Sequence, residues 1–417
     1  VEDNLPGDAV RKAFKVEIDP TKAQLVLLQK SAGIARFTYN WALDLCNVSY
    51  QIKKSGHGED VERLPTPNAM SLHRTLNAMK KEYFPWMYEV SKWCAQSALQ
   101  NLERAFKNFW KDCKKPKEQR KFKHPQFKKK HNDSFYLSAP RKLLVTCNQI
   151  ALPRIGNVRL KERGYIPNGK YDGVSVSRHA DKWFVSVWKE VELPHVKTQK
   201  GTIGIDLGIK TLAQFSTGEQ FQSPKRHKKT NNKIKRLQRR LERQKKGSNK
   251  RNKTKDRIAK EYYRITCQRK DTLHKLTSYL VKTKRERTLV IEDLNVEGMK
   301  RNRSLARAVS EIGFYEFRRQ LEYKCKWHRK ELIIADRFFP SSKRCSSCGC
   351  LNHELRLRDR IWTCSNCGTV LDRDQNAALN LAQYPQFEGN WRLHCLESPP
   401  TLAGVGPVDE TGKATVA

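Results

Sequence analysis

Apolar and polar positions alternate at the start of the chain. In KAFKVEI, residues 12–18, Phe14, Val16 and Ile18 share one side, which predicts a strand that Asp19-Pro20 ends. From Thr21 the period lengthens. Leu25, Leu28, Ala32 and Ala35 recur three and four residues apart, and TYNWALDL continues the pattern as helix. Helical patterning persists to about Trp110 through SALQNLERAFKNFW, with a polar linker near residues 54–68. Core packing accounts for most of its aromatic residues, among them Phe37, Tyr39, Trp41, Phe106, Phe109 and Trp110. Short alternating runs follow: SFYLS, KLLVT, QIALP, NVRLKE, GVSVSR and KWFVSVWKEVEL. Turns rich in Gly, Pro and Asn separate them, predicting a small antiparallel barrel or sandwich. With the first strand this gives one β domain interrupted by a helical insert: a strand over 12–20, the insert over 21–120 and the other strands over 121–196.

A boundary at His195 to Gly201 opens a second pattern. GTIGIDLGIK reads as a buried strand and AQFSTGEQF as its hairpin partner. Ile234, Leu237 and Leu241, then Ile258, Tyr262 and Ile265, keep a helical stripe on either side of a GSNKRNKTK break, predicting a helical hairpin over 225–282. ERTLVIEDLNVEGM reads as a buried strand followed by a loop, FRRQLEYKCKWHRK as a helix and ELIIADRFF as a strand. The succession describes an α/β layer over 197–340, with a mixed parallel and antiparallel sheet and a last helix at 372–382. The whole is therefore an α+β multidomain chain. Residues 383–417 lack periodicity and are expected to be disordered.

Charge changes the picture. The 417 residues carry 83 Lys and Arg against 43 Asp and Glu, a formal charge of +40, so a polyanion is the expected partner and binding should depend steeply on salt. Between Lys225 and Arg257 lie 17 Lys or Arg and two acids. Lys228, Lys229, Lys233, Arg236, Arg239, Arg240 and Arg243 are the candidates for phosphate contact there. A second basic segment, Lys111 to Lys130, holds Phe122 and Phe127 between its charges; it reads equally as a base-stacking surface or a solvated linker. No apolar run is long enough to span a bilayer, no signal peptide is expected, and a cytoplasmic, nucleoid-associated location follows.

Two CxxC pairs, Cys345/Cys348 and Cys364/Cys367, stand fifteen residues apart, the spacing at which four thiolates close around one Zn²⁺. Each pair is followed by Gly, which permits the tight turn that orients both sulfurs. Four cysteines leave no open position for water, so the role is structural: a zinc ribbon over 341–371. Cys350 is a bystander, and the other cysteines are expected as reduced thiols.

Acids embedded in apolar strands of so basic a chain call for a reason. Asp206 follows Ile203 and Ile205, Glu292 follows Leu289, Val290 and Ile291, and Asp374 follows the second CxxC pair in DRDQNAALN. A buried carboxylate is costly unless paired, hydrogen-bonded or metal-bound, and three together can hold two Mg²⁺ for phosphodiester chemistry. Two neighbours compete. Asp372 stands three residues before Gln375 as in a capping box, and Asp293 lies on the other strand face from Glu292, between which periodicity does not choose.

GIDLGIK, IEDLN, CSSCG with CSNCG, and DRDQNAALN together resemble the TnpB proteins of bacterial transposons, RNA-guided nucleases related to type V CRISPR effectors and to Fanzor proteins. The likeness extends to FKVEIDPTKAQ, GIARFTYNWAL and LPRIGNVRL, and to everything from residue 201 to about 382. It implies a RuvC-like, RNase H-type nuclease domain with Asp206, Glu292 and Asp374 as Mg²⁺ ligands and catalytic residues, chosen over Asp293 and Asp372. It also implies a wedge-like β domain with a helical recognition insert, a guide RNA from the transposon end and cleavage of double-stranded DNA beside a short motif; whether one copy or two assemble on the RNA does not follow from the sequence, and a monomer on one RNA is the expectation. Two rivals remain: a guided DNA-binding protein that does not cut, against which three intact acids count, and a DNA transposase, which the ribbon before the third acid does not suit.

Overall fold

Residues 9–55, 68–130, 133–192, 198–223, 228–356 and 358–387 are described by the computed structural model. The chain divides into two units, Val1–Glu192 and Leu193–Ala417.

In the first unit, strand β1 (Ala9–Asp19) buries Phe14, Val16 and Ile18 on one face, as their alternation requires. Three helices follow: α1 (Lys22–Ser55), α2 (Ala69–Tyr83) and α3 (Lys92–Cys113). Asn68 caps α2 by accepting from the backbone N–H groups of Met70 and Ser71. Strands β2 (Ser134–Val145), β3 (Gln149–Leu152), β4 (Gly156–Leu160), β5 (Gly169–His179) and β6 (Lys182–Glu192) then close a barrel with β1 in the order β1-β4-β3-β2-β5-β6. Of the two architectures the alternation allows, the closed one is found. β1 pairs with β6 from Ala9↔Glu192 to Ile18↔Trp183, so the strand begins three residues before the predicted 12–20 and is sealed by the last strand of its unit. Of the expected linker near residues 54–68, Lys54 and Ser55 still belong to α1, and residues 56–67 lie outside the described ones.

The second unit is built on a five-stranded sheet, order β11-β10-β7-β8-β9. Its strands are β7 (Gln199–Leu207), β8 (Thr211–Phe215), β9 (Gln220–Gln222), β10 (Glu286–Glu292) and β11 (Glu331–Ala335). β10 lies between β7 and β11 and runs parallel to both, whereas β8 and β9 add antiparallel. Helices α4 (Lys228–Glu242) and α5 (Asn249–Lys282) pack as a hairpin between β9 and β10. The break between them is shorter than GSNKRNKTK predicts. Asn249 already opens α5, because Ser248 caps it and the Arg251 guanidinium bonds the carbonyls of Leu241, in the last turn of α4, and of Gln244, just past it. The stretch after β10, read as a loop, holds two short helices, α6 (Val296–Arg301) and α7 (Ala306–Ile312), and then α8 (Phe314–Trp327). Asn295 caps α6 through Gly298 N–H at 2.9 Å.

Between β11 and the last helix comes a small hairpin, β12 (Ile361–Thr363) with β13 (Val370–Asp372), and α9 (Arg373–Gln383) starts at the residue after β13. The chain stays ordered four residues past α9: Tyr384–Phe387 form a 3-10 turn whose Tyr384 ring meets Phe339 edge-on at 4.9 Å. That shortens the expected disordered tail, whose residues 388–417 lie outside the described ones. Among the described residues no helix is long and apolar enough to cross a membrane.

Candidate active site and nucleic-acid interface

Alternation along β7 and β10 decides which side each acid takes. Ile203, Ile205, Leu289 and Ile291 pack into the core shared with α5 and α8, which contribute Leu276, Leu280, Phe317 and Leu321. Gly204 and Val290 face the other way, Gly204 directly under α9 and Val290 in a cluster with α9's Leu381. Asp206 and Glu292 continue that second face at the carboxyl ends of two adjacent parallel strands, where Ile205 stands opposite Ile291. Asp293, one residue on, turns to the first face, where Arg318 of α8 meets it at 2.9 Å and Arg337 at 2.6 Å. Two guanidiniums thus occupy Asp293, and among the described residues none is paired with Glu292 in the same way.

The Asp206 and Glu292 carboxyl groups lie within hydrogen-bond reach. Burial, the contact with Glu292 and the charges of Glu292 and Asp374 raise the Asp206 pKa well above the usual carboxylate range, with Arg373 opposing. Asp374 projects from the first turn of α9, half-buried, and pairs with Arg360 at 3.1 Å. Asp372 caps the same helix, accepting from the N–H groups of Asp374 at 3.0 Å and Gln375 at 2.9 Å. The three acids therefore share one side of the sheet, two in contact and the third near enough to feel their charge. Such an excess of negative charge at strand ends is the donor chemistry that suits a hard divalent cation. Beside Glu292 a cavity of about 340 Å³ opens, lined by Asn295, Tyr315, Arg318 and Arg337 among others.

Three features that hold α9 in place went unread in the sequence. Gly204 has no side chain because α9 lies directly on it: a Cβ there would come within 2.0 Å of the Ala378 carbonyl oxygen and 2.4 Å of the Ala382 nitrogen. Gln375 reaches across to β8, donating to the Ser216 carbonyl at 3.1 Å and accepting from Gln214. Asn376 and Asn380, one turn apart and buried, grip the segment entering the ribbon. Asn376 donates to the Arg344 carbonyl at 2.7 Å and accepts from Ser346 N–H at 2.9 Å. Asn380 donates to the Ser341 carbonyl at 2.8 Å and accepts from Arg344 Nη1 at 3.0 Å. Two asparagines four residues apart inside a helix, where they are poor formers, were the available signal.

The ribbon brings Cys345, Cys348, Cys364 and Cys367 together, with all four sulfurs within 4.8 Å of one another. Cys345 and Cys367 are 3.7 Å apart and Cys348 and Cys364 3.6 Å, close to the ~3.8 Å expected around one tetrahedral zinc with bonds of about 2.3 Å. Gly349 and Gly368 take positive φ at 83° and 71°, and each donates to the carbonyl of the first cysteine of its pair. Trp362 and Leu371 fill the ribbon's own small core, with Cys350 packed against it. Among the described residues this is the one group of four whose ligand atoms converge so closely; the three carboxylates do not.

On α4, Ile234 and Leu237 are buried while Lys229, Lys233, Arg236, Arg239, Arg240 and Arg243 are exposed. Lys228 is the helix's first residue, and its side chain lies outside the described ones. A cavity of about 500 Å³ between the two helices is lined by Lys233, Arg236, Arg240 and Arg257, with Glu261 at its floor paired to Lys233 and Arg264. Local fields here are positive except at that one acid, as a phosphate backbone would require.

Comparison with known proteins adds relatives to this geometry. Residues 184–303 match the OrfB_IS605 family model, described as "Probable transposase", and residues 314–381 match the "Cas12f1-like, TNB domain". A "Helix-turn-helix domain" model matches residues 10–55, which here form β1 and the single helix α1. A Streptomyces pristinaespiralis protein named "Putative RNA-guided DNA endonuclease" is 35% identical over 89% of this chain and 89% of its own length. Escherichia coli K12 InsQ, given the same description, is 30% identical over 89% of this chain and 91% of its own. Among solved structures, one chain of a Cas12f1-sgRNA-target DNA complex superposes with a TM-score of 0.52 at 13% identity, covering 90% of this chain and 99% of that one.

Proposed function

The chain belongs to the TnpB family, and from that premise we propose that it is a transposon-encoded, RNA-guided DNA endonuclease that cuts double-stranded DNA beside a short adjacent motif. The observation that carries the reading is the meeting of Asp206 and Glu292 at neighbouring strand ends, on the side of the sheet covered by the helix whose first turn carries Asp374. In this reading the second unit is a RuvC-like, RNase H-type nuclease domain. The barrel and helices of the first are its wedge-like domain and recognition insert.

The catalytic roles fall to the three acids. Magnesium bound by them would activate water on one side of a phosphodiester and stabilise the leaving oxygen on the other. Asp206 and Glu292 are held rigidly because their strands are paired and buried up to the residue before each. Asp374 is held by α9, and α9 by Gly204, Gln375 and the two asparagines. The four cysteines would hold a structural zinc that fixes the hairpin leading into Asp374, and its loss would loosen a ligand of the other metal. Arg360 pairs with Asp374, a contact that a cation held by the three acids would have to displace. The basic face of α4 grips phosphates of the guide or of the guide–target duplex, whose sequence is read by base pairing.

The test is to express the protein with RNA from its own locus and challenge it with Mg²⁺ and plasmids that carry the guide-matched target beside a randomised flank. Depletion of a distinct subset of flanks, absent with Asp206→Ala, is expected. Retention of all plasmids despite tight RNA binding would favour a protein that binds without cutting.

A further inference from the structure

The segment after α3 is the least regular and among the most basic parts of the described first unit, yet it is pinned at several points. Between Lys111 and Lys130 stand ten Lys or Arg and only two acids, Asp112 and Glu118. One of those acids is spent on the backbone: Asp112, 1% exposed, accepts from the N–H groups of Lys121 at 2.5 Å and Phe122 at 2.6 Å, and from Lys115 Nζ at 2.6 Å. Arg120 folds back onto the end of α3, donating to the carbonyls of Cys113 and Lys115 at 3.0 Å each. Farther along, Pro125 is buried, and the His124 ring meets Phe106 and Phe109 edge-on at 5.5 and 5.3 Å. At the far end the Asn40 side chain of α1 holds Lys128 in both directions, donating to its carbonyl at 3.0 Å and accepting from its N–H at 2.7 Å.

Between these anchors two phenylalanines point outward. Phe122 is 53% and Phe127 52% exposed, one on each side of the buried Pro125. Neither ring stacks on another among the described residues. A flexible solvated linker needs no buried carboxylate to order its backbone and gains nothing from fixing aromatic rings in water. Two presented rings flanked by Lys121, Lys123, Lys129 and Lys130 are instead what successive bases and their phosphates require.

We propose that this strap, residues 120–130, is a binding site for unpaired RNA, with Phe122 and Phe127 each stacking one base and the flanking lysines meeting the phosphates. The choice of RNA rests on the guided-nuclease reading, in which RNA is the resident partner. A platform whose anchors are all in place in the free chain suits a ligand that is present before any target. Charge alone would hold any polyanion; the rings are what select unpaired bases.

The experiment uses the full chain and a short oligouridylate containing 4-thiouridine. Photo-crosslinking followed by peptide mass spectrometry should mark Phe122 and Phe127. In anisotropy titrations, each Phe→Ala change should weaken oligouridylate binding about fivefold or more, Phe→Tyr should retain it, and the salt slope should stay as in the wild type. An unchanged melting temperature confirms that the exposed rings are not needed for folding. Crosslinks confined to other segments would overturn the site. So would affinity unmoved by the double Phe→Ala change, equal loss for duplex RNA, or an effect seen with oligothymidylate and not with oligouridylate. Because the readout is binding, failure of guided cutting with intact strap crosslinks would count against the nuclease reading alone, and the reverse against the strap alone.

Discussion

Replacing Gly204 by Ala adds one methyl group where β7 passes beneath α9. That carbon would stand 2.0 Å from the Ala378 carbonyl oxygen, 2.4 Å from the Ala382 nitrogen and 2.9 Å from the Leu381 carbonyl carbon, all backbone atoms that cannot rotate aside. Restoring ordinary contact requires the helix to retreat by about 1 Å or more, at a cost of about 1–3 kcal/mol for overpacking. Asp374 rides on the first turn of that helix while Asp206 stays on the strand, so the distance between the two acids changes by a similar amount. Misplacement on that scale costs about a hundredfold in rate. Guided cleavage at saturating Mg²⁺ should fall accordingly, with RNA binding retained and the melting temperature lowered by several degrees. Gly33→Ala is the control: nothing lies within 4 Å of a Cβ there, on α1, and the change should be neutral or stabilising by up to about 1 kcal/mol. Wild-type cleavage and melting in Gly204→Ala would refute the claim that close contact between β7 and α9 sets the site.

Other consequences are as direct. Arg360→Gln removes the cation paired with Asp374 and should tighten Mn²⁺ binding in calorimetric titration by about two- to fivefold, the range of a partly exposed ion pair; unchanged affinity would show that Arg360 does not compete. Cys364→Ser should lose zinc by metal analysis and reduce cleavage, since the ribbon is tied through Asn376 and Asn380 to the helix of Asp374; full activity in a zinc-free protein would remove that link. Lys324 lies buried between α5 and α8, donating to the His274 carbonyl, Thr277 Oγ1 and Ser278 Oγ, and burial, with a smaller push from Lys282, lowers its pKa to about 8. The unfolded chain then binds the extra proton between about pH 8 and 10.5, so stability rises with pH across that window. Wild type should therefore gain in melting temperature relative to Lys324→Met from pH 8 to 10, and parallel curves would contradict the burial argument.

Much of this was legible because it followed from period. Alternation gave β1 and β7, and cysteine spacing gave the ribbon, since four thiolates around one ion admit few spacings. Glu292 and Asp293 could not be separated by pattern because β10 is buried on both faces; the assignment needs to know that Val290 lies against α9 and Ile291 against the other layer. The early start of α5 was hidden by Asn and Gly propensities that Arg251 overrides from the preceding helix end. Short helices α6 and α7 span too few turns to show a stripe. The Phe122 strap could not be told from a linker, because its order comes from Asp112 and Asn40, one before it in the helix and one far away in α1.

Cleavage by the Asp206→Ala protein tests the central claim most directly. Assembled with RNA from its own locus and given Mg²⁺ and matched double-stranded DNA, wild type should cut. The variant should bind the same DNA with nearly the same affinity and leave it whole, because the Asp206 side chain stands at a strand end, outside the apolar core of its unit. Cutting by the variant, or collapse of its DNA binding along with its activity, would show Asp206 to be a structural acid and would contradict the assignment of the three carboxylates.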